Sequence, residues 1–255
     1  MAEIYEKHNY LNKDISLLVN TFIREYDMKA GGFSILKRNN CLSKGEIDYL
    51  ESCSKLERNI YLGNKLKQEP ELMQIQMNGF IEARQLFFEA NNIQDSSVLS
   101  IKKDAIFLIK DIPYVTEIDG LEFKLANTYN SYYYLDKNEL YYSTKNNSID
   151  LKGINDTNLE LHKDYMLKEL CTIFSLAERN NTAYLIKYLK RFRNKYLNKD
   201  LDIGCYRELN RESMFRLKYR IAGDPVLISD IDDKEEIEII YNYINYIVPL
   251  ISYYL

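Results

Sequence analysis

The sequence has no tryptophan, only two histidines, and only four cysteines and four prolines in 255 residues. Cys41, Cys53, Cys171 and Cys205 form no Cys-x-x-Cys pair, and His8 and His162 stand alone. Neither a zinc site nor a disulfide framework is expected, and free thiols in a reducing compartment are. No apolar run approaches the roughly 20 residues of a membrane span, so no membrane partner is expected. The opening MAEIYEKHNYLNKD contains nothing that reads as a secretory signal. The 23 tyrosines, with abundant Asn, Lys and Ile, fit AT-rich coding in a low-GC bacterium or its phage. The expected location is therefore cytoplasmic, in a bacterium or a phage-infected host cell.

With 9 glycines and 4 prolines the chain has few breaks. Residues 20–27 (NTFIREYD) read as a strand, followed by a turn at Gly31–Gly32. Ser43-Lys44-Gly45-Glu46 is a capping box that opens a helix toward Gln68. Along it Ile47, Leu50, Cys53, Leu56, Ile60, Gly63 and Leu66 recur at three- and four-residue steps, the mark of one buried face. A second helix is expected over 70–92, with proline at its start. Residues 98–109 read as a strand. The Tyr-rich, alternating region 121–152 reads as a hairpin or small sheet turning at Asp136-Lys137-Asn138. Beyond it come helices. Tyr165, Met166, Ile173, Phe174 and Ala177 line one, a second covers 182–197, and a last begins near Asp232 with Ile237, Ile240, Ile244, Ile247 and Ile251 on its stripe. The expected fold is α+β over 1–156, with fingers-like helices at about 43–92, then an all-helical domain over 157–255.

Two carboxylates stand out. Asp27 ends one apolar strand and Asp104 sits within another (SIKKDAIFLI). A lone buried carboxylate costs several kcal/mol unless it is paired or bound to a metal. Two such residues on adjacent strands would form a divalent cation site of the kind used in two-metal phosphoryl transfer. The plainer reading is that Lys102 or Lys103 neutralises a carboxylate near the surface. Between the two, Lys55, Arg58, Asn59, Leu62 and Lys65 share one helix face. A triphosphate needs such a face, although a solvated helix looks the same.

The net charge of −4 hides an asymmetry. Between residues 187 and 220 there are eleven basic residues and four acidic ones, a balance of +7 that leaves −11 elsewhere. Lys187, Lys190, Arg191, Arg193 and Lys195 crowd its first third, with Tyr184, Tyr188, Phe192 and Tyr196 between them. Basic side chains so placed suit a phosphate backbone, whereas the aromatics read more simply as core.

In combination these segments resemble the family B DNA polymerases. Asp27, Ser34 and Ile35 match the family's first palm motif, DxxSLYPSI. Lys55, Asn59 and Gly63 fall in register with the fingers motif KxxxNSxYG. Ile101-Lys102-Lys103-Asp104-Ala105 resembles the YGDTDS motif with only its second aspartate kept. The Tyr132–Tyr134 hairpin and Lys152-Gly153 resemble the strands that lead into a thumb. The resemblance spans residues 20 to 160, and it departs from the family at two points. Gly32 stands where the family has the bulky Tyr that excludes ribose 2′-hydroxyls, and Lys102 replaces the first aspartate of the third motif.

What the resemblance implies is a polymerase-like palm with reduced fingers and a helical thumb. It would extend a primer with nucleoside triphosphates and would lack an exonuclease domain. Asp27 and Asp104 would be catalytic and would hold Mg2+ or Mn2+. Lys55, Arg58, Asn59, Gly63 and Gly32 would contact the nucleotide. Lys152, Lys187, Lys190, Arg191, Arg193 and Lys195 would hold primer and template, and a second replication subunit is a further expected partner. The competing reading is an inactive palm that binds nucleic acid or protein, or one subunit of a split polymerase.

Overall fold

The computed structural model describes residues 4–110, 114–135, 138–153 and 160–208, with 216, 218, 231, 233–239, 247–250 and 252. Its strands are β1 (Asn9–Leu11), β2 (Leu17–Leu18), β3 (Ile23–Met28), β4 (Val98–Lys102), β5 (Ala105–Leu108), β6 (Glu117–Ile118), β7 (Leu121–Tyr129), β8 (Ser131–Leu135), β9 (Asn138–Ser143) and β10 (Ser148–Lys152). They form a six-stranded sheet, β1-β4-β5-β3-β7-β6, and a four-stranded one, β10-β9-β8-β2. Helices pack on these antiparallel sheets, which makes the structure α+β. The chain divides into two compact units, Met1–Ile15 with Phe22–Thr128 and Ser16–Thr21 with Tyr129–Leu255. The expected boundary at 156 lies among residues 154–159, outside the described residues.

In the first unit, strand alternation sends Tyr26 and Met28 of β3 into a core with Ile106, Leu108, Phe80 and Phe87. Glu25 and Asp27 take the opposite face, where Glu25 accepts from Asn127 Nδ2 at 2.7 Å. The strand expected over 98–109 is a hairpin, β4 and β5, that reverses at Lys103–Asp104 with Lys103 at φ 56°. The Gly31–Gly32 pair is not a turn. It opens α1 (Gly31–Arg38), and the reversal comes one step earlier, at Lys29–Ala30.

The single helix expected from Ser43 to Gln68 is two, α2 (Lys44–Ser52) and α3 (Lys55–Gln68). Ser43 and Glu46 cap the first as expected, and a second capping box, Ser54 with Glu57, breaks the chain and starts the next helix. The break rotates the apolar face. Leu62 is buried, while Leu56 is 70% exposed and Ile60 56%. Glu46 ties the two helices together by accepting from Lys65 Nζ at 2.9 Å and from the Tyr61 hydroxyl at 2.9 Å. Helix α4 (Glu71–Ala90) follows Pro70 and crosses α1 so closely at Gly79 that a Cβ there would run into Ile35.

The second unit takes in the β8–β9–β10 meander, expected as a hairpin or small sheet, together with β2. One face of the meander (Tyr133, Leu140, Tyr142, Leu151) packs on Leu170, Ile173 and Phe174 of α5 (Lys168–Glu178), which continues a π-helical turn at Lys163–Leu167. Helix α6 (Thr182–Leu197) adds Leu185, Leu189, Phe192 and Tyr196 to the same core. The hairpin turn expected at Asp136-Lys137-Asn138 includes residues 136 and 137, which lie outside the described residues. The expected last helix does not run through Ile237. Lys234–Glu236 is one 3₁₀ turn, and backbone pairing holds this segment extended, with Lys218 N donating to Glu236 O and Glu238 N to Arg216 O. Residues 240–246 of that expected helix lie outside the described residues, and Ile247 and Leu250, in a helical turn, reach the core.

Candidate functional site

A cleft of about 680 Å³ opens in the first unit where the ends of β3 and the β4–β5 hairpin meet α1, α3 and α4. It is lined by Asp27, Gly32, Lys55, Arg58, Asn59, Gly63 and Asp104, all seven of the residues expected to be catalytic or nucleotide-binding. Sheet register makes this possible. Asp27 pairs across β3 and β5 with Ala105, so the turn residue Asp104 lies next to the end of β3. A Cβ on Gly31 would stand 3.3 Å from Asp104 Oδ2, so this carboxylate rests against the first turn of α1.

Asp27 is half-buried. Desolvation pushes its carboxyl up, and the charge of Asp104 adds to the rise, while Lys124 and Lys55 oppose it. Lys124 Nζ lies 3.5 Å from Asp27 Oδ2. Of the two lysines expected beside a carboxylate, Lys102 ends β4, paired in register with Asn9 and Ala105. The two-residue turn breaks strand alternation after Lys102, so Lys103 lines the cleft instead, its Nζ 5.4 Å from the Phe80 ring centroid.

Lys55 occupies the first position of α3, where a cation opposes the helix dipole. It is exposed and makes no ion pair among the described residues, which leaves it available to an anion. Arg58 is partly committed elsewhere. Its Nε and Nη2 donate to the carbonyls of Leu50 and Cys53 at 3.0 and 3.1 Å, and the guanidinium sits 5.4 Å from the Phe33 ring centroid. Lys65, expected on the same face, is held by Glu46 and Glu69.

The chain belongs to the Bacteriophage PBS1 gene 130 protein family, whose model matches residues 1–255. A search of curated proteins found no match.

Sequence reasoning missed three residues around the cleft of this family member. Arg84 of α4 is fully buried. Its Nε donates to Tyr5 O at 2.8 Å and its Nη1 to Lys103 O at 2.5 Å, so it pins the turn that carries Asp104. Burial lowers its pKa to about 10, a fall that the charge of Asp104 opposes. His8 binds the same turn, its carbonyl accepting from Lys103 N at 3.0 Å. Burial lowers the pKa of the His8 ring, and the charges of Arg84 and Lys103 lower it further. Gln76, also on α4, is buried in the cleft wall. For the two α4 residues the signal was a polar side chain interrupting an apolar helix, as in FIEARQLFF.

The residues expected to hold nucleic acid lie in the second unit. Lys152 pairs with Asp150 at 2.7 Å. Lys187, Lys190, Arg191, Arg193 and Lys195 are all exposed on α6, which has no acidic residue, and none makes an ion pair among the described residues. Further along, Lys199 pairs with Glu235, and Arg216 with Glu208 and Glu238. Among the described residues of 187–220, the cations without an ion pair gather on α6. The aromatics between these cations divide: Phe192 and Tyr196 are core, while Tyr184 is exposed.

Proposed function

We propose that the chain is a palm-type nucleotidyltransferase whose cleft binds a nucleoside triphosphate with a divalent cation. The convergence of Asp27 and Asp104 with Lys55 and Asn59 in one cleft carries this reading. The 3′-hydroxyl of a primer would attack the α-phosphorus, forming one P–O bond as the α–β bridge breaks, losing its proton and releasing pyrophosphate.

The residues present suit a magnesium or manganese ion that is shared with the substrate. Among the described residues no cluster of three or more His, Cys, Asp or Glu side chains could hold a metal alone. Mg2+, however, is usually bound by one or two carboxylates, with phosphate and water filling its remaining positions. Burial, and after it the charge of Asp104, raises Asp27, and a bound cation would relieve both. Asp27 and Asp104 would hold the ion, which when bound supplies charge neutralisation at the reacting phosphate. Lys55 and Asn59 would grip the outer phosphates, and α6 would track the nucleic-acid backbone through phosphate contacts.

One observation favours a second reading, an inactive palm that binds nucleic acid or a protein partner. Lys124 already faces Asp27, and Lys103 shares the cleft with Asp104. Primer extension by purified protein with Mg2+ or Mn2+ and either class of nucleotide separates the two. The enzyme reading predicts metal-dependent extension that Asp27→Asn and Asp104→Asn abolish. No extension, or extension indifferent to both changes, favours the inactive palm.

A further inference from the structure

Strand register, and not a chance meeting of two flexible side chains, brings Lys124 to Asp27. Strands β3 and β7 are neighbours, and their polar residues meet in turn. Lys29 N donates to Glu122 O at 2.8 Å, and Lys29 Nζ reaches the Glu122 carboxylate at 2.8 Å. Two residues along each strand, Lys124 Nζ lies 3.5 Å from Asp27 Oδ2. Beyond that pair, Asn127 Nδ2 donates to Glu25. Lys124 and Asp27 are thus the middle of three polar cross-strand pairs. At 3.5 Å, with the lysine half-exposed, the contact is loose, and the ammonium can leave it at little cost.

The charge of the cleft favours an anion over a bare cation. Lys29, Lys55, Arg58, Lys103 and Lys124 line it against Asp27 and Asp104, five cations to two carboxylates. Glu122 answers Lys29, which still leaves a balance of +2. Such a lining repels a lone divalent cation and attracts a polyphosphate.

We propose that Lys124 is a counter-ion gate, holding Asp27 until a polyphosphate draws the ammonium away, so that the cleft binds a divalent cation far more tightly with the polyphosphate than alone. This rests on the cation-and-triphosphate reading of the cleft. A cation entering alone would have to part Lys124 from Asp27 and then face the displaced ammonium across a few ångströms. A polyphosphate removes both obstacles. Its oxygens accept the ammonium that Asp27 releases, and its negative charge outweighs the remaining lysines.

Titration calorimetry of the full chain with MnCl2 alone and with preformed Mn2+–tripolyphosphate tests this without a base or a sugar. The native chain should bind the complex at least about tenfold more tightly than Mn2+ alone. Lys124→Met should strengthen binding of Mn2+ alone by about tenfold, the order expected for one unit charge acting on a divalent ion at short range in a solvated cleft. It should leave the complex no tighter, so that the gap closes. Lys124→Arg should keep the native values, and Lys29→Met, which removes a lining charge that does not meet Asp27, should shift them less than about threefold. Adding Asp27→Asn to Lys124→Met should abolish the gain, which separates the cleft from acidic sites elsewhere on the surface. Circular dichroism melts confirm that the variants are folded. Equal affinity of the native chain for Mn2+ and for the complex overturns the gate and leaves the cleft reading intact. So does a Lys124→Met chain that binds Mn2+ no better, or a gain that Lys29→Met matches. If neither Mn2+ nor the complex binds any of these chains, the gate and the cleft reading both fail.

Discussion

Arg84 Nη1 donates to the carbonyl of Lys103, the residue immediately before Asp104. The bond joins the middle of α4 to the tip of the β4–β5 hairpin, and Arg84 Nε adds a second bond to Tyr5 O. A buried guanidinium thus sets the position of a carboxylate that it does not need to touch.

Replacing Arg84 should therefore affect both stability and the cleft. Arg84→Met keeps the apolar stem and removes the donors to the part-buried carbonyls of Tyr5 and Lys103. The expected loss is about 2–4 kcal/mol in urea denaturation. Arg84→Lys should recover less than half of it, because an ammonium cannot span two carbonyls in a fixed fork.

The α1–α4 crossing gives a sharper packing test. Gly79→Ala places a Cβ against Ile35 and should cost about 1–3 kcal/mol. Ile35→Ala removes both γ carbons that obstruct it. The double variant should then lose less than the sum of the two single changes, and that coupling is measurable in a thermodynamic cycle. Strict additivity would mean that the two helices do not touch there.

Asp27 and Glu46 should respond to pH in opposite senses. The carboxyl of Glu46 is held down to about 2, chiefly by Lys65 and then by Ser43. Its contribution is present above the ordinary carboxylate value and is lost as pH falls toward 2. As it is near the surface, the loss should be under about 1 kcal/mol, and Glu46→Gln should flatten the acid limb. The folded chain raises Asp27, so its contribution is present below the ordinary carboxylate value and disappears as pH rises through the folded one. Asp27→Asn should consequently stabilise the protein at neutral pH while removing the activity proposed for the cleft, the usual exchange at a functional site. Denaturation curves between pH 3 and 8 check both signs.

Part of this cleft was legible in spacing: Asp27 and Asp104 stood out as carboxylates in apolar strands, and Lys55, Arg58 and Asn59 shared one expected helix face. Gly32 and Gly63, the latter expected on the apolar face, were named only through the family resemblance. The elements around them were less legible. Ser54 and Glu57 carry the same capping signal as Ser43 and Glu46, but the apolar series through Leu56 and Ile60 masks it. Local hydrogen bonding won over periodicity there, and both residues remain exposed. The Lys103–Asp104 turn carries no Gly or Asn, and long-range bonds from Arg84 and His8 hold it. Backbone pairing between residues 216–218 and 236–238 overrode the helical pattern at Ile237.

Helix α6 yields a quantitative expectation for nucleic-acid binding. Removing one cation that meets a phosphate should lower the slope of log affinity against log salt by about 0.9 on duplex DNA. Lys187→Ala, Lys190→Ala and Arg191→Ala together should reduce it by about 2 to 3, if each of the three meets a phosphate. Lys152→Ala should change it less, since Asp150 already holds that ammonium. Filter binding from 50 to 300 mM salt provides the measurement.

Asp27 and Asp104 should act as one metal–nucleotide site. Electron paramagnetic resonance of Mn2+ tests this without a primer or a template, because the six-line signal of the free ion fades when the ion is bound. Adding the protein to Mn2+ and nucleoside triphosphate should reduce that signal below its level with the nucleotide alone. The double variant Asp27→Asn, Asp104→Asn should leave it at that level. An unchanged signal with the native chain, or an equal loss with the double variant, would mean that the two carboxylates hold no shared ion.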